Sequence, residues 1–236
     1  MDNTPPRRIL IGANSFADAR AAIRMAARLA RETSAALGGV LVQEQAVLAA
    51  CALPNRRLVS PGGALGLAPS LARLRRMLDA DAQSFRQLLH DVAGPVAASW
   101  TFERQAGELV ASLSQSATRS DILVFGHRYV HPVAGRVLLL RRQGGASPDA
   151  DRLARALAEH LGTGLSVRSV GTAPEPGAEA TYPTEQAAIA AIDRCNCSAV
   201  LIDLAADPAQ SMSLLRRLLD VARCPVIVLR APQDDM

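Results

Sequence analysis

Apolar and polar residues follow two patterns that alternate along the chain. Short apolar runs, such as RILIGA at residues 8–13, are typical of strands buried in a parallel sheet. Residues 19–33 instead place Ile23, Ala27 and Ala30 on one face and arginines on another. This spacing predicts an amphipathic helix directly after the first strand.

The same two patterns continue to the end of the chain. Strands are predicted over residues 8–13, 40–43, 96–102, 121–126, 136–141, 165–170, 199–204 and 225–229. Helices are predicted over residues 19–33, 71–92, 108–118, 149–161, 184–195 and 211–222. Residues 53–69 and 172–183 are rich in Pro and Gly and are predicted to form loops. Strands that alternate with helices predict an α/β fold, in which a parallel sheet has helices on both faces.

The second half of the chain repeats the pattern of the first. RRILIGANSFADARAAIRMAARLA and GRVLLLRRQGGASPDADRLARALAEHLG each read as a strand, a polar turn and a helix rich in Arg, Ala and Leu. QSATRSDILVFGHR and DRCNCSAVLIDLAA each read as a helix end, a polar step and a strand. These similarities predict two degenerate copies of one unit, over residues 1–132 and 133–236.

Three stretches resemble the universal stress protein family. RRILIGANSFADARAAIRMAARLA is similar to the family's opening strand, turn and first helix. AGELVASLSQSATRSDILVFG is similar to its third helix and fourth strand, and SLLRRLLDVARCPVIVLRAP to its last helix and fifth strand. The resemblance implies tandem universal-stress-protein-like (adenine nucleotide α-hydrolase-like) units that pair through their last strands. The first unit would lack its last helix and strand, and the second would be shortened.

Some members of that family bind ATP or AMP, and this sequence departs from their pattern. The resemblance implies a loop Gly-x-x-Gly, followed further on by Gly-Ser or Gly-Thr, after the fourth strand. Here Gly126 is followed by HRYVHPVAGR, and the corresponding strand of the second half is followed by LAADPAQSMS, which contains no glycine. The acid of the family's first turn is replaced by Asn14, and roughly by Arg142 in the second half. No cofactor is therefore expected, although ATP or AMP remains an alternative.

Two short segments are candidate ligand-binding residues. Gly126, His127 and Arg128 follow a buried strand, where phosphates bind in many α/β proteins, although a turn that links the two copies is the favoured interpretation. Asn14 and Ser15 follow the first strand and are interpreted either as contacts to a base or ribose or as the cap of the next helix.

Composition excludes several classes of function. The chain has 236 residues, 49% of them hydrophobic, and a net charge of +4, with every basic residue an arginine. Asp and Glu are interleaved with the arginines and aromatic residues are 3%, so no nucleic-acid binding is predicted. No apolar run is long enough to cross a bilayer and no leader pattern is evident, so a cytoplasmic protein without membrane insertion is expected.

The cysteines do not predict a disulfide framework or a metal site. Cys51, Cys195, Cys197 and Cys224 lack disulfide spacing and are expected to stay reduced. Cys195 and Cys197 would need two further metal ligands, and the nearest histidines show no matching motif. No metal is therefore predicted.

No pattern of nucleophile and positioned base is present, so an enzyme is not predicted. The first hypothesis is a non-enzymatic regulatory or stress-response protein that acts through contacts with a protein partner of unknown identity. The alternative is a sensor for an adenine nucleotide or another anion, which would use a divergent loop. A third hypothesis is a stress-protein-like cytosolic piece that regulates a transporter. A homodimer is the expected oligomeric state.

Overall fold

The computed structural model of the chain describes residues 8–53, 57–59, 65–67, 69–95, 99–118, 121–127, 134–142, 148–203 and 208–229. In chain order, the elements are β1 Arg8–Ala13, α1 Phe16–Thr33, β2 Ala36–Gln43, α2 Gln45–Ala52, β3 Arg57–Val59, β4 Leu65–Leu67, α3 Leu71–Ala93, β5 Trp100–Ala106, α4 Leu109–Ser116, β6 Ile122–Phe125, β7 Arg136–Arg142, α5 Pro148–His160, β8 Leu165–Val170, β9 Ala180–Tyr182, α6 Glu185–Asp193, β10 Cys197–Asp203, α7 Pro208–Val221 and β11 Val226–Leu229.

Nine of the strands form one sheet in the order β5-β2-β1-β6-β11-β10-β7-β8-β9. Neighbouring strands are parallel except for β6 and β11, which pair antiparallel with Phe125 opposite Val226 and Ile122 opposite Leu229. The predicted α/β class with a largely parallel sheet is confirmed. The antiparallel pair corrects the expectation of a wholly parallel arrangement, and it arises because β11 pairs with both β6 and β10.

Helices cover both faces of this sheet, as the alternation of strands and helices predicts. Strand side chains on one face of the sheet, such as Ile9 and Ile11, pack with α1, α3 and α5 in one hydrophobic core. Strand side chains on the other face, such as Leu10, pack with α4, α6 and α7 in a second core. Successive strand residues point to opposite faces, so a strand buried on both faces is a continuous apolar run.

Several elements differ from the sequence prediction. Helix α2 was not predicted, because QAVLAACA is apolar on every side and none of its residues is buried. The hairpin of β3 and β4 lies in the Pro- and Gly-rich segment that was predicted as a loop. Strand β9 also lies in a predicted loop, because only three residues pair with β8 at the edge of the sheet. Strand β5 begins at Trp100, and residues 96–98 of the prediction lie outside the described part.

No helix within the described residues has both the length and the apolar character needed to cross a membrane.

Strand β11 lies in the middle of the sheet. Its four side chains are at most 4% exposed, because strands flank it on both sides and helices cover both faces. It follows α7 near the end of the chain and yet contacts β6 from the first half. The last strand therefore connects the two halves into one continuous sheet.

Gly135, the residue directly before β7, is tightly packed against a neighbouring segment. A Cβ atom added at Gly135 would collide with the backbone carbonyl of Asn196. The Gly135 carbonyl oxygen also accepts hydrogen bonds from Thr163 Oγ1 (2.7 Å) and from Ser198 Oγ (2.9 Å). The position therefore requires glycine, because the backbone of Asn196 leaves no room for a Cβ atom.

We expect Gly135→Ala to lower the free energy of unfolding by about 2 kcal/mol, because backbone atoms cannot move aside as a flexible side chain can. Urea unfolding followed by circular dichroism measures this. Gly66→Ala is the matched control, since nothing lies within 4 Å of its added Cβ. The control should change stability by less than about 0.5 kcal/mol. Equal effects of the two substitutions would contradict the role given to Gly135.

Candidate functional site

Most of the predicted ligand-binding residues meet at one edge of the sheet. Asn14 and Ser15 follow β1, and Gly126 and His127 follow β6, which is the parallel neighbour of β1. The carboxyl ends of parallel neighbours lie side by side, and ligands of open α/β sheets bind there. A groove of about 440 Å³ occupies this edge, and Asn14, Gly126 and His127 line it. Arg128 lies outside the described residues.

Ser15 is the N-cap of α1. Its Oγ accepts a hydrogen bond from the Asp18 backbone N–H (3.2 Å) and donates one to Asp18 Oδ2 (2.5 Å). The Phe16 backbone N–H donates to Asp81 Oδ2 (3.2 Å), which comes from α3. Of the two interpretations of Ser15, the helix cap is the one that the structure contains. Two carboxylates of the protein itself therefore lie at the helix end where an external anion would bind.

Gly126 has a packing role. Its backbone N–H donates to the Gly12 carbonyl oxygen at 2.7 Å, which extends the pairing of β1 and β6. A Cβ atom at this position would lie 2.8 Å from the Asp18 carbonyl oxygen and 3.0 Å from Ala13 Cβ. A glycine is required here because the end of β6 approaches the first turn of α1. Its N–H is thus engaged within the sheet and not directed at a phosphate.

Asn14 is held by the next strand end. Its Nδ2 donates to Glu44 Oε1 at 2.8 Å, and Glu44 directly follows β2. Among the described residues, its buried Oδ1 has no hydrogen-bond partner. A second pocket of about 200 Å³ adjoins Asn14 and is lined mainly by apolar side chains, namely Val42, Val47, Leu48, Leu74 and Leu78.

The groove is acidic. Four carboxylates from different elements line it, and the described lining includes one arginine. That arginine, Arg216, donates to Glu108 Oε2 at 3.1 Å and is thereby paired. The carboxylates are those of Asp18, Glu44, Glu108 and Asp220. The described lining therefore has an excess of negative charge at the position where a phosphate loop was considered.

Glu108 caps α4 at the rim of this groove. Its carboxylate accepts hydrogen bonds from the backbone N–H groups of Val110 (3.1 Å) and Ala111 (3.0 Å). Partial burial raises the pKa of Glu108. The hydrogen bond from Arg216, the two backbone hydrogen bonds and the charge of Arg216 lower it further than burial raises it. The net result is a pKa below the ordinary value of 4.5.

Arginines at the end of β7 are paired in a similar way. Arg142, at the position compared with the family's acid, lies 3.0 Å from Glu185 of α6. Arg141 is buried and forms an ion pair with Asp151 in the first turn of α5. The guanidinium groups of Arg141 and Arg142 are thus both bound by acids of the following helices. Asp203, the acid at the end of β10, is buried.

Cys195, Cys197 and Cys224 contribute to packing in one of the two hydrophobic cores. All four cysteines are free thiols. Burial raises the pKa of Cys197 to about 11, and burial also raises that of Cys224, so both are neutral thiols near pH 7. Arg168 Nη2 donates to Cys195 Sγ at 3.0 Å. No group of three or more metal-ligating side chains occurs within the described residues.

Sequence reasoning missed several acidic residues at this edge of the sheet. Asp81 reaches the start of α1 from the middle of α3, and Asp220 comes from α7. Neither position has a local sequence signal, because each is brought in by helix packing. Glu44 had a usable signal, since it directly follows β2 and strand ends meet at one edge of the sheet.

No protein-family model matches the chain, and no curated protein matches it significantly. Solved structures do match. A universal stress protein from Archaeoglobus fulgidus superposes with a TM-score of 0.49 at 11% identity, over 97% of this chain and 97% of that chain. Universal stress protein UspA from Lactobacillus plantarum gives a TM-score of 0.34 at 21% identity, over 70% of this chain and 99% of that one. Both come from the family that the sequence resembles.

A third match has a different description. The cytoplasmic domain of a prokaryotic cation chloride cotransporter superposes with a TM-score of 0.48 at 10% identity, over 98% of each chain. The likeness to all three structures concerns the fold.

We expect the stability of the wild-type protein to depend on pH through Glu108. Its folded-state pKa lies below the unfolded value, so its stabilising contribution is present above the unfolded pKa and is lost as the pH falls through the folded pKa. Glu108→Gln should therefore lose less stability than the wild type between about pH 7 and about pH 3. Urea midpoints across this range measure the difference.

Glu159→Gln is the control for this experiment, because Glu159 is exposed on α5 and has no ion pair within the described residues. Its pH profile should match that of the wild type. If the profile of Glu108→Gln also matched the wild type, the capping and ion-pair role of Glu108 would be contradicted.

Proposed function

We propose that this chain is a non-enzymatic, universal-stress-protein-like regulatory or stress-response protein that acts in the cytoplasm through protein contacts and does not hold ATP in the family's usual way. One observation supports it above the others. The groove at the ends of β1 and β6 is lined by the carboxylates of Asp18, Glu44, Glu108 and Asp220, and its described arginine is already paired with Glu108.

Electrostatics argue against a triphosphate in this groove. A carboxylate and a phosphate a few ångströms apart repel each other, and the repulsion is stronger at a partly buried site than in bulk water. The backbone groups that could compensate are in use. The Phe16 N–H binds Asp81, and the Gly126 N–H binds the Gly12 carbonyl oxygen. A nucleotide would have to displace both the acid and part of the sheet pairing.

The proposal includes two tandem units, over residues 1–132 and 133–236. From one edge inward the sheet runs β5, β2, β1, β6, and from the other edge inward it runs β9, β8, β7, β10. The strands of the main sheet can be numbered in chain order within each half. In that numbering, both series follow the same order, which is third, second, first and fourth strand. The loop at residues 171–179 stands where the first half has α2, the hairpin and α3, which supports a shortened second unit. Only residues 126–135 separate β6 from β7, which supports a first unit without its last helix and strand.

A second candidate function is the binding of an adenine-type base without phosphate contacts. The observation in its favour is Asn14 Oδ1, a buried acceptor that has no hydrogen-bond partner among the described residues. It adjoins the apolar pocket of about 200 Å³ and could accept a hydrogen bond from an exocyclic amine. This candidate differs from the first in predicting affinity for the nucleoside.

Calorimetric titration separates the two candidates. ATP with Mg²⁺, AMP and adenosine are each titrated into the purified protein, and the supernatant of denatured protein is analysed for co-purified nucleotide. The proposed function predicts no binding of any of the three at concentrations up to about 1 mM and no co-purified nucleotide. Binding of ATP would overturn it. Binding of adenosine that Asn14→Ala abolishes would establish the second candidate instead.

The expected homodimer is part of the proposal and has a direct measurement. The chain mass is 24.9 kDa, so a homodimer has a mass of about 50 kDa. Light scattering after size-exclusion chromatography should report the dimer mass at micromolar concentration. A mass of one chain at every concentration would contradict the prediction.

A further inference from the structure

The outer face of α1 has a row of four arginines, which we call the arginine stripe. All four side chains are exposed, and they follow one another at intervals of four, four and three residues: Arg20, Arg24, Arg28 and Arg31. Side chains at these intervals lie above one another on one side of a helix. With a rise of 1.5 Å per residue, the stripe extends over about 16 Å.

The acid nearest the stripe on α1 is Glu32, which lines a small cavity with Arg28 and Arg31 but forms no ion pair within the described part of the chain. Other arginines there form ion pairs, for example Arg8 with Asp121 (2.8 Å) and Arg104 with Asp79 (2.8 Å), whereas none of the four in the stripe does so. Like charges at these intervals repel each other. The pKa of His160 of α5 is lowered. Desolvation is the largest cause, and the positive charges of Arg28 and Arg31 lower the pKa further.

An apolar groove lies beside the stripe. It has a volume of about 540 Å³ and is formed by α1 together with the C-terminal ends of α3 and α5. Apolar side chains of all three elements line it, and the four arginines stand along it. The apolar lining includes Ala21, Met25, Val92 and Leu161. One acid, Asp91, also lines it and accepts a hydrogen bond from Gln87 Nε2 at 2.8 Å.

We infer that this groove binds an acidic amphipathic helix of a protein partner. A helix laid along α1 would place carboxylates at three- and four-residue intervals opposite the guanidinium groups, because both helices have the same repeat. Its apolar side chains would enter the groove. Guanidinium–carboxylate pairs would replace the repulsion within the stripe, so charge complementarity and apolar burial favour the same occupant. The inference rests on the proposed role through protein contacts and names the kind of partner.

Other occupants fit less well. A single phosphate group cannot contact four guanidinium groups spread over about 16 Å. A nucleic-acid backbone would match the charge, but it would leave the apolar lining unused, and the described lining offers no Phe, Tyr or Trp for base stacking. A bilayer surface is too broad to enter a groove between helices. A second copy paired through this same face about a twofold axis would bring a second positive stripe against the first.

Fluorescence anisotropy tests the inference. The probe is a labelled synthetic peptide of about 20 residues, designed as a helix with Glu at three- and four-residue intervals beside a row of Leu. The full chain should bind it, and the affinity should fall as salt is raised. Arg24→Glu/Arg28→Glu should weaken binding at least about tenfold, because two attractive pairs become repulsive. Arg28→Gln, which removes one charge only, should weaken binding by about threefold.

The control variant is Arg75→Glu/Arg76→Glu, which changes the net charge by the same amount on the exposed surface of α3, about 24 Å along that helix from Asp91. It should bind the peptide within about twofold of the wild type. The melting temperature of Arg24→Glu/Arg28→Glu should equal or exceed that of the wild type, since the substitutions relieve repulsion in the free protein. A purely structural role of the stripe predicts a lower melting temperature.

Several results would overturn the inference. These are no binding of the peptide, equal binding by Arg24→Glu/Arg28→Glu, or binding of duplex DNA or of vesicles containing phosphatidylglycerol as tightly as the peptide. Failure here leaves the nucleotide titration unaffected, because the stripe lies outside the acidic groove. Binding of ATP in that titration would in turn overturn the proposed function through a separate measurement.

Discussion

The pairing of β11 with β6 is the interaction on which the rest of the structure depends. Strand β11 lies parallel to β10 on one side and antiparallel to β6 on the other, and its side chains are fully enclosed. Without this pair, β6 would be an open edge of the first half and β11 an open edge of the second half. Exposed apolar edge strands favour aggregation. With this pair, one sheet of nine strands extends across both halves. Helices α1 and α5, which follow the first strand of each half, then pack on the same face.

The carboxyl edge of the sheet shows how similar topologies can differ in chemistry. Parallel neighbours bring Asn14, Ser15 and Gly126 together, which is the arrangement that strand-end ligand sites use. The side chains added by α3, α4 and α7 decide the charge of that edge. They contribute Asp81 at the start of α1 and Glu108 and Asp220 in the groove, so donors are satisfied internally and the lining is acidic. The opposite situation holds on the outer face of α1, where none of the four arginines forms an ion pair among the described residues.

The acidic groove and the arginine stripe thus differ in how far their polar and charged groups are already paired. In the acidic groove and at the adjoining start of α1, hydrogen bonds and an ion pair satisfy Ser15, Glu108 and Arg216, and a new anion would compete with existing partners. Along the arginine stripe, the charges remain exposed and repel one another, and a partner of opposite charge would displace no ion pair among the described residues. A surface that is already satisfied favours a structural role, whereas an unsatisfied one beside an apolar groove favours recognition.

The sequence by itself determined the α/β class and most helices and strands, and it offered the cap at Ser15 as one of two interpretations. These properties depend on the spacing of apolar residues and on local hydrogen bonding, which neighbouring residues specify. It could not specify β9, the hairpin of β3 and β4 or α2, whose pairing or packing is weakly marked in short segments. Only the tertiary structure decided that Asp81 and Asp220 approach the strand ends and that β11 pairs with β6. These contacts join residues that are far apart in the chain. Their energy depends on distances in space, and a local sequence pattern contains no information about those distances.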